Sequence, residues 1–222
     1  MNDIVGIIPA GGLAKRITPI PCSKELLPIG FSSILKDGEE KEIPKPVSLY
    51  LIERMMTAGA DKFFIILNKD KWDIPRYYGA GIKDKASFSY LIQENLQGMP
   101  FALNQVQPWL NNETVLFGMP DTVFTPEDAY TQLLDVYTSA SADLVLGLFP
   151  TDKPERFGMV DFLNDGRMLS TIDKPLKSTL KFMWGIACWG KIFTEYMKEY
   201  LAGINSSQGN RSGIDISSRV GG

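Results

Sequence analysis

The chain contains no histidine and only two cysteines, Cys22 and Cys188, among its 222 residues. Without histidine, neither a Ser-His-Asp nor a Cys-His catalytic arrangement can form. A zinc site is disfavoured for the same reason, and two cysteines are too few for a disulfide-stapled scaffold. Any metal ion would be held by carboxylates and by substrate phosphates, which is a coordination that suits Mg²⁺.

The chain also lacks a long apolar segment and a strong excess of one charge. The apolar run 4–10 ends at two glycines and is too short for a signal peptide or a membrane span, and no other run reaches spanning length. The formal net charge is -3, so the broad basic surface typical of nucleic-acid-binding proteins is not expected. We therefore expect a cytoplasmic protein that binds neither membranes nor nucleic acid, with local positive charges for any anionic substrate.

Short apolar runs alternate with helical patterns along the first two thirds of the chain. Strands are predicted over 4–10, 62–67, 88–93, 114–118, 143–149 and 182–189, and helices over 46–59, 72–78, 100–110, 127–137 and 191–201. The runs 159–163 and 167–172 flank Asn164-Asp165-Gly166, which predicts a β-hairpin. The pattern predicts an α/β fold of three layers, with a mixed, mostly parallel sheet and helices on both faces.

We expect one domain over residues 1–222, because a hydrophobic content of 44% is enough for a sizeable core. The polar segment 31–44 is predicted to be an exposed insertion that turns at Asp37-Gly38. The end of the chain, 203–222, is rich in glycine, serine and asparagine and is expected to be a flexible tail. Ligands of such folds bind outside the carboxyl ends of the strands, so functional residues are expected in the loops that follow strands.

The loop after the first strand carries two glycines and two basic residues. Gly11 and Gly12 let the backbone approach a ligand and expose N–H donors, and Lys15 and Arg16 add positive charge beside them. These features suit a triphosphate, although the spacing matches neither the G-x-G-x-x-G nor the G-x-x-x-x-G-K-[ST] pattern. A tight turn with solvated basic residues is the structural alternative.

Together with the segment that follows it, this loop resembles the signature of the sugar-1-phosphate nucleotidylyltransferases. The matching residues are Gly11-Gly12, Lys15-Arg16, Pro19, Lys24 and Leu27-Pro28-Ile29. The pattern is most similar to that of the glucose-1-phosphate thymidylyl- and uridylyltransferases. The resemblance extends over about residues 4–200 and implies a Rossmann-like fold of the nucleotide-diphospho-sugar transferase type.

The resemblance also assigns residues to two binding regions. It places Ala10, Gly11, Gly12, Lys15, Gln93 and Gly98 at the nucleotide, and Gly158, Asp173, Lys174, Trp184 and Gly185 at the sugar phosphate. Because Gln93 and backbone groups can read the edge of a pyrimidine, dTTP or UTP is favoured as the nucleotide. A homo-oligomer stays open, since the sequence does not decide the oligomeric state.

The reaction that the resemblance implies needs charge neutralisation and positioning rather than a general base. A phosphate oxygen of a sugar 1-phosphate attacks the α-phosphorus of a nucleoside triphosphate, and pyrophosphate leaves. Arg16 is expected to hold the leaving phosphates and Lys24 the α-phosphate. Asp121 is expected to bind Mg²⁺, Lys174 the sugar phosphate and Asp173 the sugar hydroxyls. The attacking oxygen is already anionic, which agrees with the absence of histidine.

Some residues depart from the family pattern and keep other functions open. No acid follows Gly185 closely, where many relatives have a second metal-binding aspartate, and Asp215 is a remote substitute. Asp173 replaces the usual glutamate. A nucleotide-sugar-binding or regulatory protein without catalysis is therefore an alternative. A transferase that joins CTP to a phosphorylated alcohol is disfavoured by the Asp173-Lys174-Pro175 triplet.

Each charged or polar candidate also has a purely structural interpretation. Asp121 could cap a turn, and Gln93 could cap a strand end. Lys24 and Lys174 could be solvated loop lysines. The order in which these residues follow one another along the chain favours the functional interpretation.

Overall fold

A nine-stranded sheet runs through the part of the chain that the computed structural model describes, residues 3–36, 38–94 and 97–208. The strands are β1 Ile4–Pro9, β2 Pro28–Lys36, β3 Glu39–Pro46, β4 Lys62–Leu67, β5 Gly81–Ile82, β6 Ala86–Ile92, β7 Thr114–Gly118, β8 Leu144–Pro150, β9 Gly158–Phe162, β10 Met168–Asp173 and β11 Phe182–Trp189. The helices are α1 Val47–Thr57, α2 Asp73–Tyr78, α3 Met99–Asn104, α4 Ala129–Ser139 and α5 Lys191–Gln208. Of the strands in the described residues, β2 and β3 alone lie outside the nine-stranded sheet, and they form a sheet of their own.

The nine-stranded sheet is mixed, with a parallel centre. The strand order is β10-β9-β11-β7-β1-β4-β6-β5, and β8 also pairs with β11. Strands β7, β1, β4 and β6 are parallel neighbours, whereas β5, β8, β9, β10 and β11 pair antiparallel. The loops that leave β1, β4, β6 and β7 therefore meet at one edge of the sheet, which is where such folds bind ligands.

Helices cover both faces of this sheet, as predicted. Successive strand residues point to opposite faces. Ile8 and Leu116 accordingly belong to one apolar cluster with residues of α1 and α4, while Ile7 and Val115 belong to a second cluster with residues of α3 and α5. The central strands are apolar on both sides for this reason, and the fold has three layers.

Two helices end more than two residues away from the ends that the sequence predicts. Helix α3 ends at Asn104, and a separate 3-10 turn covers Gln107–Trp109, so the prediction of one helix over 100–110 is wrong. Pro108 accounts for the break, because it has no backbone N–H to donate to the carbonyl of Asn104, four residues earlier. Helix α5 extends to Gln208, so residues 203–208 are helical and not part of a tail, and residues 209–222 lie outside the described residues.

The exposed segment predicted over 31–44 is the body of the β2–β3 hairpin. Its strands pair antiparallel from Pro28 with Pro46 to Lys36 with Glu39. Phe31 is largely exposed on it. Among the described residues, no helix combines the length and the apolar character that a membrane span requires.

Candidate active site

The loops that follow β1 and β7 meet in an ion pair between Lys24 and Asp121. The Lys24 Nζ donates a hydrogen bond of 2.6 Å to the Asp121 Oδ2, across 97 positions of sequence. The Lys24 side chain is 22% exposed and the Asp121 side chain 37%. A Cβ placed on Gly12 would lie 3.8 Å from the Lys24 Nζ, so the glycine loop passes beside the ammonium group. The structure thus brings a cation, a carboxylate and the glycine backbone together.

Two buried side-chain amides, those of Asn68 and Gln93, lie beside the glycine loop. The Asn68 Nδ2 donates a hydrogen bond of 2.7 Å to the Gly11 carbonyl, and a Cβ on Gly11 would lie 3.6 Å from the Gln93 Oε1. Gln93 is buried, and its Nε2 has no hydrogen-bond partner among the described residues. A buried donor without a partner costs about 1–3 kcal/mol of stability. The Gln93 Nε2 is therefore suited to donate a hydrogen bond to a ligand. Ala10 is fixed at the end of β1 by a hydrogen bond to the Ile66 carbonyl.

A cleft of about 470 Å³ opens between the glycine loop and the start of α2. It is lined by residues 12–14, 18–24, 68, 70–73 and 76. Ser23 closes one side of it, because its backbone N and its Oγ both donate to the Asp73 carboxylate at 2.6 Å. Burial raises the pKa of Asp73, but the two bonds from Ser23, together with the backbone N–H groups of Asp73 and Ile74, hold that pKa below its ordinary value.

A second, fully buried ion pair stands behind Lys24. The Lys71 Nζ donates to both carboxylate oxygens of Glu25, at 2.8 and 2.7 Å. The Glu25 side chain is 1% exposed and the Lys71 side chain 8%. Burial raises the pKa of Glu25, and the Lys71 ammonium offsets part of that rise.

The predicted sugar-phosphate residues gather on the antiparallel side of the sheet. Asp173 pairs with Gly158 in the β9–β10 register, and the Lys174 N–H donates to the Phe157 carbonyl at 3.0 Å. The Lys174 Nζ bonds both Asp173 oxygens, at 3.0 and 2.9 Å. Both side chains are open to solvent, Lys174 by 53% and Asp173 by 74%.

Trp184 connects this group of residues to the centre of the sheet. Its indole packs so closely on Gly158 that a Cβ at that position would collide with it. Its ring centroid lies 5.9 Å from that of Phe117 on β7. The pairing of β11 with β8 shifts register between Trp184 and Ile186, so Gly185 lies at a bulge.

Among the described residues, the structure shows no hydrogen bond or ion pair that joins the remaining predicted residues to the Lys24–Asp121 pair or to the Asp173–Lys174 group. Lys15 and Arg16 lie on an exposed turn, and neither forms an ion pair with any residue that the structure describes. Gly98 directly precedes α3. Within the described ranges no cluster of three or more His, Cys, Asp or Glu side chains could hold a metal, and Asp215 lies outside those ranges.

Sequence reasoning missed several residues that hold the site together. Asn68 could have been found, because it directly follows the apolar run of β4, where parallel strands present functional side chains. The contacts of Ser23 with Asp73 and of Glu25 with Lys71 have no local signal. They depend on β1 and β4 being neighbours in the sheet.

Solved structures define the class of fold. A candidate glucose-1-phosphate thymidylyltransferase from Bacillus anthracis, solved in complex with a sucrose, has a TM-score of 0.76 and 24% identity, over 88% of this chain and 75% of that one. UDP-glucose pyrophosphorylase in complex with UDP-glucose has a TM-score of 0.72 and 19% identity, over 90% of this chain and 80% of that one. The fold is the Rossmann-like one of the nucleotide-diphospho-sugar transferases, as predicted.

The sequence defines the family. Residues 5–219 match the family described as Nucleotidyl transferase, and the chain belongs to it. Glucose-1-phosphate thymidylyltransferase of Neisseria meningitidis is 29% identical over 77% of this chain and 55% of that protein. The low-salt glycan biosynthesis nucleotidyltransferase Agl11 of Haloferax volcanii is 22% identical over 77% of this chain and 44% of that protein. The chain spans about half the length of these curated relatives.

Proposed function

We propose that the chain is a Mg²⁺-dependent nucleotidylyltransferase that converts a nucleoside triphosphate and a sugar 1-phosphate into a nucleotide sugar and pyrophosphate. The Lys24–Asp121 ion pair beside Gly12 carries this proposal. It supplies a cation and a metal-binding carboxylate at the edge of the sheet where a triphosphate would bind. Membership of the Nucleotidyl transferase family supports the same general class.

In the proposed reaction, an oxygen of the sugar phosphate forms a bond to the α-phosphorus. The bond from that phosphorus to the oxygen bridging to the β-phosphate breaks, and its electron pair leaves with pyrophosphate. No proton has to be removed from the nucleophile, because it is an anion. Lys24 would donate to the α-phosphate oxygens and Arg16 to the leaving phosphates, where preorganised donors lower the barrier most.

Asp121 fits a metal that arrives together with the nucleotide. Mg²⁺ binds through one or two carboxylates plus substrate phosphates, and Asp121 is the carboxylate at the ion pair. When bound, Mg²⁺ would neutralise charge on the phosphate oxygens. Asp121 would hold it through its carboxylate, which accepts a hydrogen bond from the Lys24 ammonium in this structure.

The Gln93 amide supports dTTP or UTP as the nucleotide. Its unpartnered Nε2 can donate to a carbonyl oxygen and its Oε1 can accept from an N–H group, and a pyrimidine edge offers both. The backbone of Ala10 and Gly11 beside Gln93 would enclose the base, and we assign Gly98, which precedes α3, to the same region. The similarity to a relative named for thymidylyl transfer is a further reason to propose this preference.

The β9–β10 hairpin and β11 would bind the sugar phosphate. Lys174 would pair with its phosphate, and Asp173 would accept hydrogen bonds from its hydroxyls. Gly158 and Trp184 would shape the adjoining surface, because the indole lies directly over that glycine. Gly185 would extend this surface along β11.

A nucleotide-sugar-binding protein without catalysis is the second candidate. The residues that follow Gly185, Ile186 and Ala187, are apolar and buried, so they supply no second carboxylate for a metal. Binding of a nucleotide sugar would survive that loss better than transfer chemistry.

A screen for pyrophosphate release separates the two candidates. Each nucleoside triphosphate is paired with each common sugar 1-phosphate, with and without Mg²⁺. We expect release with dTTP or UTP and one sugar phosphate, in the presence of Mg²⁺ only. Tight binding of a nucleotide sugar with no release from any pair would favour the second candidate.

A cytoplasmic location, and the absence of nucleic acid and membrane partners, stay predictions.

A further inference from the structure

Lys24 lies in a segment with little regular structure of its own. It begins a single 3-10 turn, Lys24–Leu26, between the glycine loop and β2. One such turn provides few backbone hydrogen bonds, so the direction of the Lys24 side chain depends on what holds its neighbours. Both neighbours of Lys24 are held by residues 71–73, which follow β4 and include the start of α2.

The residue before Lys24 is fixed through two hydrogen bonds. The Ser23 backbone N and Oγ donate to different oxygens of Asp73, each at 2.6 Å. Two bonds from one residue to one carboxylate fix both the position and the rotation of that residue. Asp73 is the first residue of α2, so Ser23 is attached to a helix.

The residue after Lys24 is fixed through the buried ion pair. Lys71 contacts both oxygens of Glu25, and the Ser48 Oγ donates to the Glu25 carbonyl at 2.6 Å. Buried ion pairs often add little net stability, because desolvation offsets their attraction. The Glu25–Lys71 pair can nevertheless fix the position of Glu25 in the chain, even if it adds no net stability.

The geometry points to Asp73 and the Glu25–Lys71 pair as positioning residues that together hold Lys24 against the reacting phosphates; this inference rests on the proposed function. The three residues, which we name the clamp, form no ion pair with Asp121 in the part of the chain that the structure describes, and we expect them to act through Lys24. The segment 71–73 follows β4, a central strand, so the clamp ties Lys24 to the rigid part of the sheet.

Two variants open the clamp without leaving a buried charge unpaired. Asp73→Ala removes both acceptors of Ser23 at a partly exposed position. The double variant Glu25→Leu with Lys71→Met replaces the buried pair by apolar residues of similar size, a change that folded proteins often tolerate. Lys62→Met is the matched control, because it removes the exposed ion pair with Asp3 at the opposite end of β4.

Each variant is made in the full chain with Lys24 and again with Lys24→Ala, and thermal unfolding checks that it is folded. We expect kcat to fall by roughly 10²-fold when Lys24 is present, since a misplacement of about 1 Å has such an effect. KM for the sugar phosphate should stay unchanged, and the same changes should have no further effect on kcat in Lys24→Ala. An unchanged kcat, or an equal loss in both backgrounds, overturns the clamp.

A spectroscopic measurement decides the question even if no substrate pair gives turnover. The NMR signal of the Lys24 ε-methylene group is assigned by its absence in Lys24→Ala. We expect its chemical shift to move toward that of a free lysine in both clamp variants and to stay in place in Lys62→Met. An unmoved signal in folded clamp variants overturns the clamp, whereas lack of turnover with a moved signal counts against the proposed function alone.

Discussion

The two proposed binding regions differ in how firmly the protein holds them. On the nucleotide side, Gln93 is buried, and Lys24 is fixed between hydrogen-bonded neighbours. On the sugar side, Asp173 and Lys174 are exposed and bond mainly to each other. The difference predicts that the charges of the proposed nucleotide region are preorganised, whereas those of the proposed sugar region become ordered only when a ligand binds.

Asp121→Asn should have the largest effect on turnover, and it tests whether the chemistry takes place on the nucleotide side. The change keeps the shape of the side chain and removes its charge, so Mg²⁺-dependent pyrophosphate release should fall below detection. Nucleotide binding without metal, measured by calorimetry, should survive. Asp3→Asn, which removes the carboxylate of the exposed Lys62–Asp3 pair, should leave release unchanged. Full activity of Asp121→Asn would make the metal assignment wrong, and Asp173 or Asp215 would be tested next.

Lys24→Ala should lower kcat by about 10²–10³-fold, because loss of one preorganised charge donor costs about 2.7–4 kcal/mol in the transition state. Its effect on the free energy of unfolding should stay within about 1 kcal/mol, as is usual for a partly exposed ion pair. Steady-state kinetics and thermal unfolding measure the two effects. Lys62→Ala serves as the matched loss of an exposed ion pair, and normal turnover of folded Lys24→Ala would contradict the role.

Lys174→Ala should act on binding more than on turnover. An exposed lysine that pairs with the substrate phosphate contributes to the ground state and the transition state alike, so KM for the sugar phosphate should rise about 10-fold with little change in kcat. The neighbouring exposed Lys177→Ala is the control, and its KM should stay at the wild-type value. A large loss of kcat in Lys174→Ala would remove the distinction between the two regions.

The smallest expected effect is the pH dependence that Asp73 contributes to stability. Its pKa in the folded chain is lower than in the unfolded chain, where it is about 3.9. Such a carboxylate contributes stability that is present above the unfolded pKa and is lost as the pH falls through the folded pKa. The difference in melting temperature between the wild type and Asp73→Asn should therefore be constant from about pH 5 to 7 and shrink below about pH 4. A difference that stays constant to pH 3 would contradict this contribution.

The sequence predicts elements of the fold where local patterns are strong. Strands 62–67, 114–118 and 182–189 appear with their predicted bounds, because each is a compact apolar run. Gly59, just beyond the end of α1, has φ +99°, a conformation that glycine adopts without strain after a helix. The sequence predicts too long a helix for α3, because its apolar pattern continues past Pro108. The backbone of that proline has no N–H group with which to continue the helix.

The sequence predicts which loops the candidate site uses, but not the contacts between its side chains. The glycine loop, Lys24 and Asp121 lie on loops that the order of strands brings to one edge of the sheet. Nothing near Glu25 in sequence indicates its partner, because Lys71 is 46 positions away and reaches it only after β1 and β4 have paired. Side-chain partners of this kind depend on the folded chain as a whole.

The Lys24–Asp121 pair has a thermodynamic consequence for the order of binding. A metal ion that binds alone must compete with the ammonium for Asp121, and a nucleotide that binds alone must compete with the carboxylate for Lys24. A metal–nucleotide complex gives each member of the pair a new partner of opposite charge in one exchange. The two ligands should therefore bind synergistically, and linkage requires that each raises the affinity for the other by the same factor. In Lys24→Met, calorimetry should show tighter binding of Mg²⁺ alone and a smaller mutual enhancement, which identifies the pair as the source of the coupling.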